Sequence, residues 1–260
     1  MFLGGRSPSG PTDEVAGGKG RCQPDAVEPD ATALRQHLRN IVALEKACVY
    51  GLLRLDEAER MPDATAYHAA CEAQLVVQAR LSRVIEQTAA LAPTSTAGLL
   101  CYCEILRFLV TTHQEGEASQ GLSDIAGTYA ESVRDLLPRL CGPPAGARAS
   151  GRAALRDAYL ITLARDARQM LEAVPEEASY AEDEVRLHGM LADIALTIPG
   201  TVAGAVALAT LIGACLDRRD AFEAMPGFLP LQLNLIDAVQ DLLDAAVAGI
   251  DGAPVRMPPS

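Results

Sequence analysis

His68-x-x-Cys71 and Cys101-x-Cys103 carry imidazole and thiol groups at short spacing, the ligand types that zinc prefers. Cys101 and Cys103 stand two apart, so on a helix their side chains diverge and share an ion poorly. His68 with Glu72, and Glu184 with His188, are four apart and lie on one helical face. The paired Glu-x-x-His motifs of di-iron bundles do not occur. Surface contacts along a helix account for these pairs without a metal. Glu104 and Arg107 interrupt an otherwise apolar stretch. A carboxyl buried there would have the raised pKa of a catalytic acid or base. Arg107 is one turn away, and an ion pair between the two is the simpler expectation. Cys103 and Cys215 could act as nucleophiles only if something lowered a thiol pKa, and their sequence neighbours offer nothing for that. No Gly-x-Ser-x-Gly, phosphate-binding glycine loop, zinc-protease helix motif or dinucleotide fingerprint is present. These residues therefore define no catalytic group, no metal site and no cofactor.

The elements that hold these residues are helical by composition. Apolar residues make up 49% of the 260, aromatics only 4%, and Trp is absent. A core filled by Leu, Ala, Val and Ile without period-two alternation favours helices over sheets. The net charge is −12. No basic stripe interrupts this acidic surface, which repels phosphate backbones and speaks against nucleic-acid binding. Lys19 and Lys46 are the only lysines, and Arg, Ala, Gly and Pro dominate, a bias of GC-rich coding that suggests a bacterial source. Met1 to Arg6 lack an apolar secretory stretch. Seven cysteines, an odd number, fall mostly in apolar helical segments, as reduced buried thiols of the cytoplasm would.

Pro, Gly and capping residues divide the chain. Residues 1–29 show no apolar pattern and form an expected disordered tail. Asp30 is placed to cap a first helix reaching about Glu59. Asp63 caps a second helix to about 91, and helices over about 97–113 and 123–140 follow. Cys141 to Gly146 is the best internal linker. The pattern then recurs with helices over about 152–173, 177–197, 201–217 and 230–249.

That recurrence has a fixed period. Pro93-x-Ser95-x-Ala97-Gly98 returns as Pro199-x-Thr201-x-Ala203-Gly204. Glu117-Ala118-x-x-Gly121 returns as Glu223-Ala224-x-x-Gly227, and Val133-x-Asp135-Leu136-Leu137 as Val239-x-Asp241-Leu242-Leu243. All three share an offset of 106 residues, the mark of an internal duplication. Upstream, Ala33-Leu34-Arg35 aligns with Ala154-Leu155-Arg156, which leaves about fifteen extra residues near the first inter-helix connection of the first copy. Within the motif, Pro opens the helix where its missing N–H costs nothing, and Ser95 or Thr201 accepts from first-turn amides. The Ala-Gly pair leaves room for another helix. Asp135 and Asp241 fall on the polar side.

The Pro-x-Thr/Ser-x-Ala-Gly-Leu helix start, seen at Pro93 to Leu99, resembles that of a group of short uncharacterised bacterial all-helical proteins. The resemblance implies that one four-helix unit is the whole protein there, and it brings no activity. The second copy departs from the motif at Gly200 and Ala205.

Ile194 to Leu216 contains no charge, includes Gly200-x-x-x-Gly204 and is followed by Arg218 and Arg219, as a membrane span could be. The matching helix of the first copy carries Glu104 and Arg107, and Pro199 marks a helix start, so a buried central helix is expected instead.

The expectation is an all-α chain of about eight helices in two tandem four-helix units, packed as a pseudo-two-fold bundle. The divisions are 1–29 tail, 30–141 first repeat, 142–151 linker, 152–250 second repeat and 251–260 tail. The expected role is a non-catalytic cytoplasmic scaffold or interaction protein, binding a protein partner or itself. The alternatives are a small-molecule or metal-binding helical protein, and a membrane-associated protein using 194–216.

Overall fold

A computed structural model describes residues 28–61, 64–112, 120–141, 151–173, 181–218 and 228–251. The expected tails at 1–27 and 252–260 and most of the linker, 142–150, lie outside the described residues. The described residues form eight helices: α1 (Pro29–Glu59), α2 (Ala64–Ala89), α3 (Thr96–Thr112), α4 (Gln120–Leu140), α5 (Gly151–Ala173), α6 (Ala181–Ala195), α7 (Val202–Asp217) and α8 (Phe228–Asp251). No strand occurs among the described residues.

The most apolar helices take the centre. Leu99, Ile105, Leu106 and Leu109 of α3 are buried, as are Leu208, Leu211, Ile212 and Cys215 of α7. α1 and α2 pack on α3 and α4, while α5 and α6 pack on α7 and α8. α3 also packs on α8, and α4 on α7, so buried residues of both halves belong to one continuous core. The charge-free run 194–216 is not one helix. α6 ends at Ala195 and α7 begins at Val202. Among the described residues, no helix is long and apolar enough to cross a membrane.

Burying a helix start leaves its first amides without water, so each must find an acceptor in the protein. Ser95 caps α3, its hydroxyl accepting from Gly98 N at 2.9 Å, and Thr201 caps α7, accepting from Gly204 N at 3.1 Å. Behind each cap sits a carboxylate from another helix. Asp30 Oδ2 accepts from Thr94 N at 2.8 Å and Ser95 N at 3.0 Å, and the Ser95 hydroxyl donates to the same carboxylate. Asp157 accepts from Gly200 N at 3.1 Å and from the Thr201 hydroxyl at 2.6 Å. Asp30 thus serves two helix starts: its Oδ1 also accepts from Ala31 N in the first turn of α1 at 2.9 Å, although the residue ahead of that helix, Glu28, makes no side-chain cap bond. Pro93 and Pro199 are buried three residues ahead of the first helical turn, not within it.

The glycine of the motif has its reason here. A Cβ at Gly98 would overlap the Asp30 carboxylate, and one at Gly204 would lie 2.5 Å from Asp157 Oδ2. What approaches is a side chain of the flanking helix, and Ala203 beside it is exposed. Burial pushes the Asp30 carboxyl up, but the Thr94 amide, the Ser95 hydroxyl and the remaining donors outweigh it and hold the carboxyl below its ordinary 3.8. A lowered pKa means that the folded form favours the ionised group. This stabilisation is present above the ordinary carboxyl range and is lost as the pH falls through the lowered value.

Gly98→Ala and Asp30→Ala should each cost about 1–2 kcal/mol in denaturant unfolding. The double variant should cost clearly less than the two losses summed, because both act on one contact. The Asp30→Ala difference should also shrink as the pH is lowered below 4. Additive losses in the double variant would separate the glycine from the carboxylate.

Candidate functional site

The polar residues beside the apolar centre find partners far away in sequence, although Arg107 Nε is left without one. Arg107 of α3 donates to Asp237 and, at 2.7 Å, to Gln240, both on α8. Its ion pair is thus made across the two halves, not with Glu104, which is exposed. Arg107 and Asp237 are both 42% exposed, so solvent screening keeps the pair's contribution to stability below about 1 kcal/mol. A buried acid near Glu104 is therefore not formed.

Cys103 of α3 and Tyr129 of α4 are buried and hydrogen-bonded at 3.1 Å, and Tyr102 stacks on Tyr129. Burial pushes the Cys103 thiol up to about 12, against the Tyr129 hydroxyl and the Arg107 guanidinium, which draw it down. Burial alone raises Cys215 to about 12. At neutral pH neither is a thiolate, and a protonated thiol is a poor nucleophile and a poor metal ligand. Cys101 is also buried, with its thiol raised chiefly by burial. His68 and Glu72 are exposed on α2, and the side chain of Glu184 lies outside the described residues. Among the described residues, no three His, Cys, Asp or Glu side chains gather as metal ligands would. A cleft of about 250 Å³ lies between α5 and α7, lined by Ile161, Arg165, Arg168 and Thr210 among others. Glu104 does not line it. Its volume is small for an organic ligand.

The repeat motif residues occupy structural positions. Ser95, Gly98, Thr201 and Gly204 form the two helix starts, with Pro93 and Pro199 ahead of them and Ala97 half-buried beside the first. Asp135 and Asp241 are exposed. The 106-residue offset also relates two bonds between helices. Thr128 donates to Ala89 O at 2.8 Å, and Asn234 donates to Ala195 O at 2.7 Å. Each supplies a donor to a carbonyl at a helix C-terminus, where four such groups lack partners.

The unusual surface lies on α1 and α2. α1 has 31 residues and α3 has 17, about 46 Å against 26 Å. The two long helices form a hairpin whose register is fixed at two levels: His37 Nδ1 meets Thr88 Oγ1 at 2.9 Å, and Gln74 packs over Gly51. Beyond Cys48, only Ala58 of α1 is buried. This arm exposes Val49, Tyr50, Leu52, Leu53, Met61, Leu75 and Val76, each more than half accessible. The Asp30–Thr94 pairing spans 64 residues and the Asp157–Gly200 pairing 43. Counted from acid to helix start the first hairpin is longer by 21 residues, and counted from helix start to helix end, Pro29–Ala89 against Gly151–Ala195, by 16. The first number has no local pattern behind it, because it rests on which acid reaches which helix start. One local signal was readable: Asp157, Leu160, Ala164, Ala167 and Leu171 share a helical stripe, so the acid stands on the apolar face.

Native protein at pH 8 should leave Cys103 and Cys215 unmodified by iodoacetamide, since each holds roughly a thousandfold less thiolate than an ordinary thiol. Peptide mass mapping should find them modified only after denaturation; rapid labelling of either in the native state would contradict the burial. Compared with models of known protein families, with curated proteins and with solved structures, the chain matches none.

Proposed function

We propose that the protein is a non-catalytic helical scaffold whose recognition element is the α1–α2 arm, with the rest of the bundle as its rigid base. The carrying observation is the run of large apolar side chains on the arm. A single exposed Leu is ordinary, but seven large apolar side chains gathered on one hairpin are the kind of surface that other proteins cover. Such surface marks a place where another protein packs. The bundle beneath is suited to a mount, since one continuous core joins both halves. The acidic charge of −12 favours a partner that is not a nucleic acid.

We also read the chain as a tandem duplication with pseudo-two-fold packing. Three features support this. The sequence offset of 106 recurs in the Thr128–Ala89 and Asn234–Ala195 bonds. The Asp–cap–Gly arrangement occurs at both α3 and α7. The cross-packing of α3 on α8 matches that of α4 on α7. A duplicated unit packing on its own copy is the single-chain counterpart of a homodimer. The lengthened hairpin belongs to one copy alone, which makes the arm an addition to that frame.

The test is Val49→Asp with Leu52→Asp, two exposed positions whose change should leave helicity and thermal unfolding within about 0.5 kcal/mol of the parent. Affinity capture from native-host extract should recover a stoichiometric protein with the parent chain and lose it with the variant. Equal recovery by both would overturn the arm as recognition element. A small molecule or metal retained at one equivalent in native mass spectrometry would overturn the non-catalytic reading.

A further inference from the structure

We infer that the cleft between α5 and α7 binds a small carboxylate carried on a short apolar body, with Arg165 and Arg168 holding the carboxylate. The site lies apart from the arm and does not depend on it. Arg165, Arg168 and Gln169 share one face of α5, and Ala207, Thr210 and Leu211 share one face of α7, so two helix faces meet across the groove. Its floor is apolar, with Ala164 and Leu211 buried. Small side chains at Ala164 and Ala207 leave the space open, while the exposed Arg165 and half-buried Arg168 bring charge to it.

Both guanidiniums are short of acceptors. Arg165 has no ion-pair partner among the described residues. Glu172 stands 3.2 Å from Arg168 Nε, but off the N–H direction, so this buried Nε makes no hydrogen bond. Arg168 and Glu172 are also 41% and 60% exposed, and solvent screens their attraction. A guanidinium presents five N–H donors in a planar fork that matches a carboxylate. Two such forks beside one groove, in a chain of net charge −12, mark a place for an anion.

The first half of the chain carries an acid where the second has none. The offset of 106 matches Ala207 with Cys101 and Thr210 with Glu104. On α3 the Arg35 guanidinium draws the Cys101 thiol down and Glu104 pushes it up, so an arginine and a carboxylate stand near one another there. At α5 and α7 the arginines face a methyl group and a hydroxyl instead. Thr210 donates that hydroxyl to Val206 O at 2.7 Å and brings no charge. The ligand supplies the missing carboxylate. This comparison rests on the duplication reading; the arginine-lined cleft does not.

Size and lining narrow the ligand. At roughly 30 Å³ for each water-sized group, a cleft of about 250 Å³ takes on the order of eight heavy atoms. That excludes a nucleotide and fits a straight-chain carboxylate of hexanoate size. A bare oxyanion would meet the arginines and leave the apolar floor uncovered, whereas each methylene laid on that floor adds roughly threefold in affinity.

Isothermal titration of the full chain with sodium hexanoate, at constant ionic strength, should give saturable binding with Kd of about 1 mM. Inorganic phosphate and hexan-1-ol, each lacking one half of the ligand, should bind at least about tenfold more weakly. Arg165→Gln and Arg168→Gln should each weaken hexanoate about tenfold or more. Thr210→Glu should do the same by placing an acid in the groove, while Thr210→Gln, of equal size and uncharged, should keep most of the affinity. All four positions are at least partly accessible, and circular dichroism should show the parent helicity in each variant. No saturable binding up to about 50 mM, equal affinity for phosphate or hexanol, arginine variants that bind as the parent does, or equal effects of Glu and Gln at 210 would each overturn the site. A ligand held this weakly exchanges freely and is not retained in native mass spectrometry, so either outcome leaves the scaffold reading and its capture test standing on their own.

Discussion

Two central helices begin against carboxylates delivered by other helices, and the fold depends on how their first amides are satisfied. A buried N–H without an acceptor costs about 1–3 kcal/mol, and a helix start presents several at once. Here the acceptors are supplied twice over at α3 and α7: a hydroxyl in the cap position and a carboxylate delivered from the flanking helix. The carboxylate does more than complete a hydrogen-bond set. It fixes the height of α1 against α3 and of α5 against α7, because Asp30 and Asp157 can reach their amides at only one register. Glycine follows as a steric requirement, since the acid occupies the space where a side chain would begin.

From these anchors the packing becomes determined. With α1 set on α3, its apolar stripe of Leu34, Ile41 and Cys48 closes on α2 and α3. With α3 and α7 at the centre, their less exposed polar residues meet partners on neighbouring helices. Arg107 reaches Asp237 and Gln240 on α8, and Cys103 uses Tyr129 on α4. These bonds link the halves or the central helices, so each satisfies a local need and also records which elements lie side by side. The same burial that forces the pairing keeps the Cys103 and Cys215 thiols protonated at neutral pH.

The helical architecture was legible in the sequence because it rests on local causes. Apolar spacing, Pro and Gly placed the eight helices to within a few residues, and Thr201 was readable as a cap because its acceptor site is three residues on. Asp30 is only half legible: it accepts from a first-turn amide of α1, Ala31 N, while its other donors are 64 and 65 residues away. Nearness in sequence also points to Glu104 as the partner of Arg107, while the partner in the fold stands 130 residues along. Pro93 and Pro199 precede their helices by three residues instead of opening them. The first two cases turn on distant partners, and periodicity carries no information about distance in space. Val49, Tyr50, Leu52 and Leu53 posed a different difficulty. Apolar residues on an amphipathic helix are normally core, and only the length of α1 relative to α3 reveals that nothing covers them.

The arm grows out of the bundle's own helices. On the duplication reading, 21 residues separate the long hairpin from the short one, counted from acid to helix start. Both helices of the first hairpin carry the extension: α1 has 31 residues against 23 in α5, and α2 has 26 against 15 in α6. The hairpin contact that begins at His37 and Thr88 continues to Gly51 and Gln74, so the added turns of the two helices stay in contact with each other. The stripe of α1 runs forward in line, with Leu38, Ile41 and Glu45 on the bundle leading directly to Val49 and Leu52 beyond it. Val49 and Leu52 therefore continue the bundle's own packing face past the point where the bundle stops.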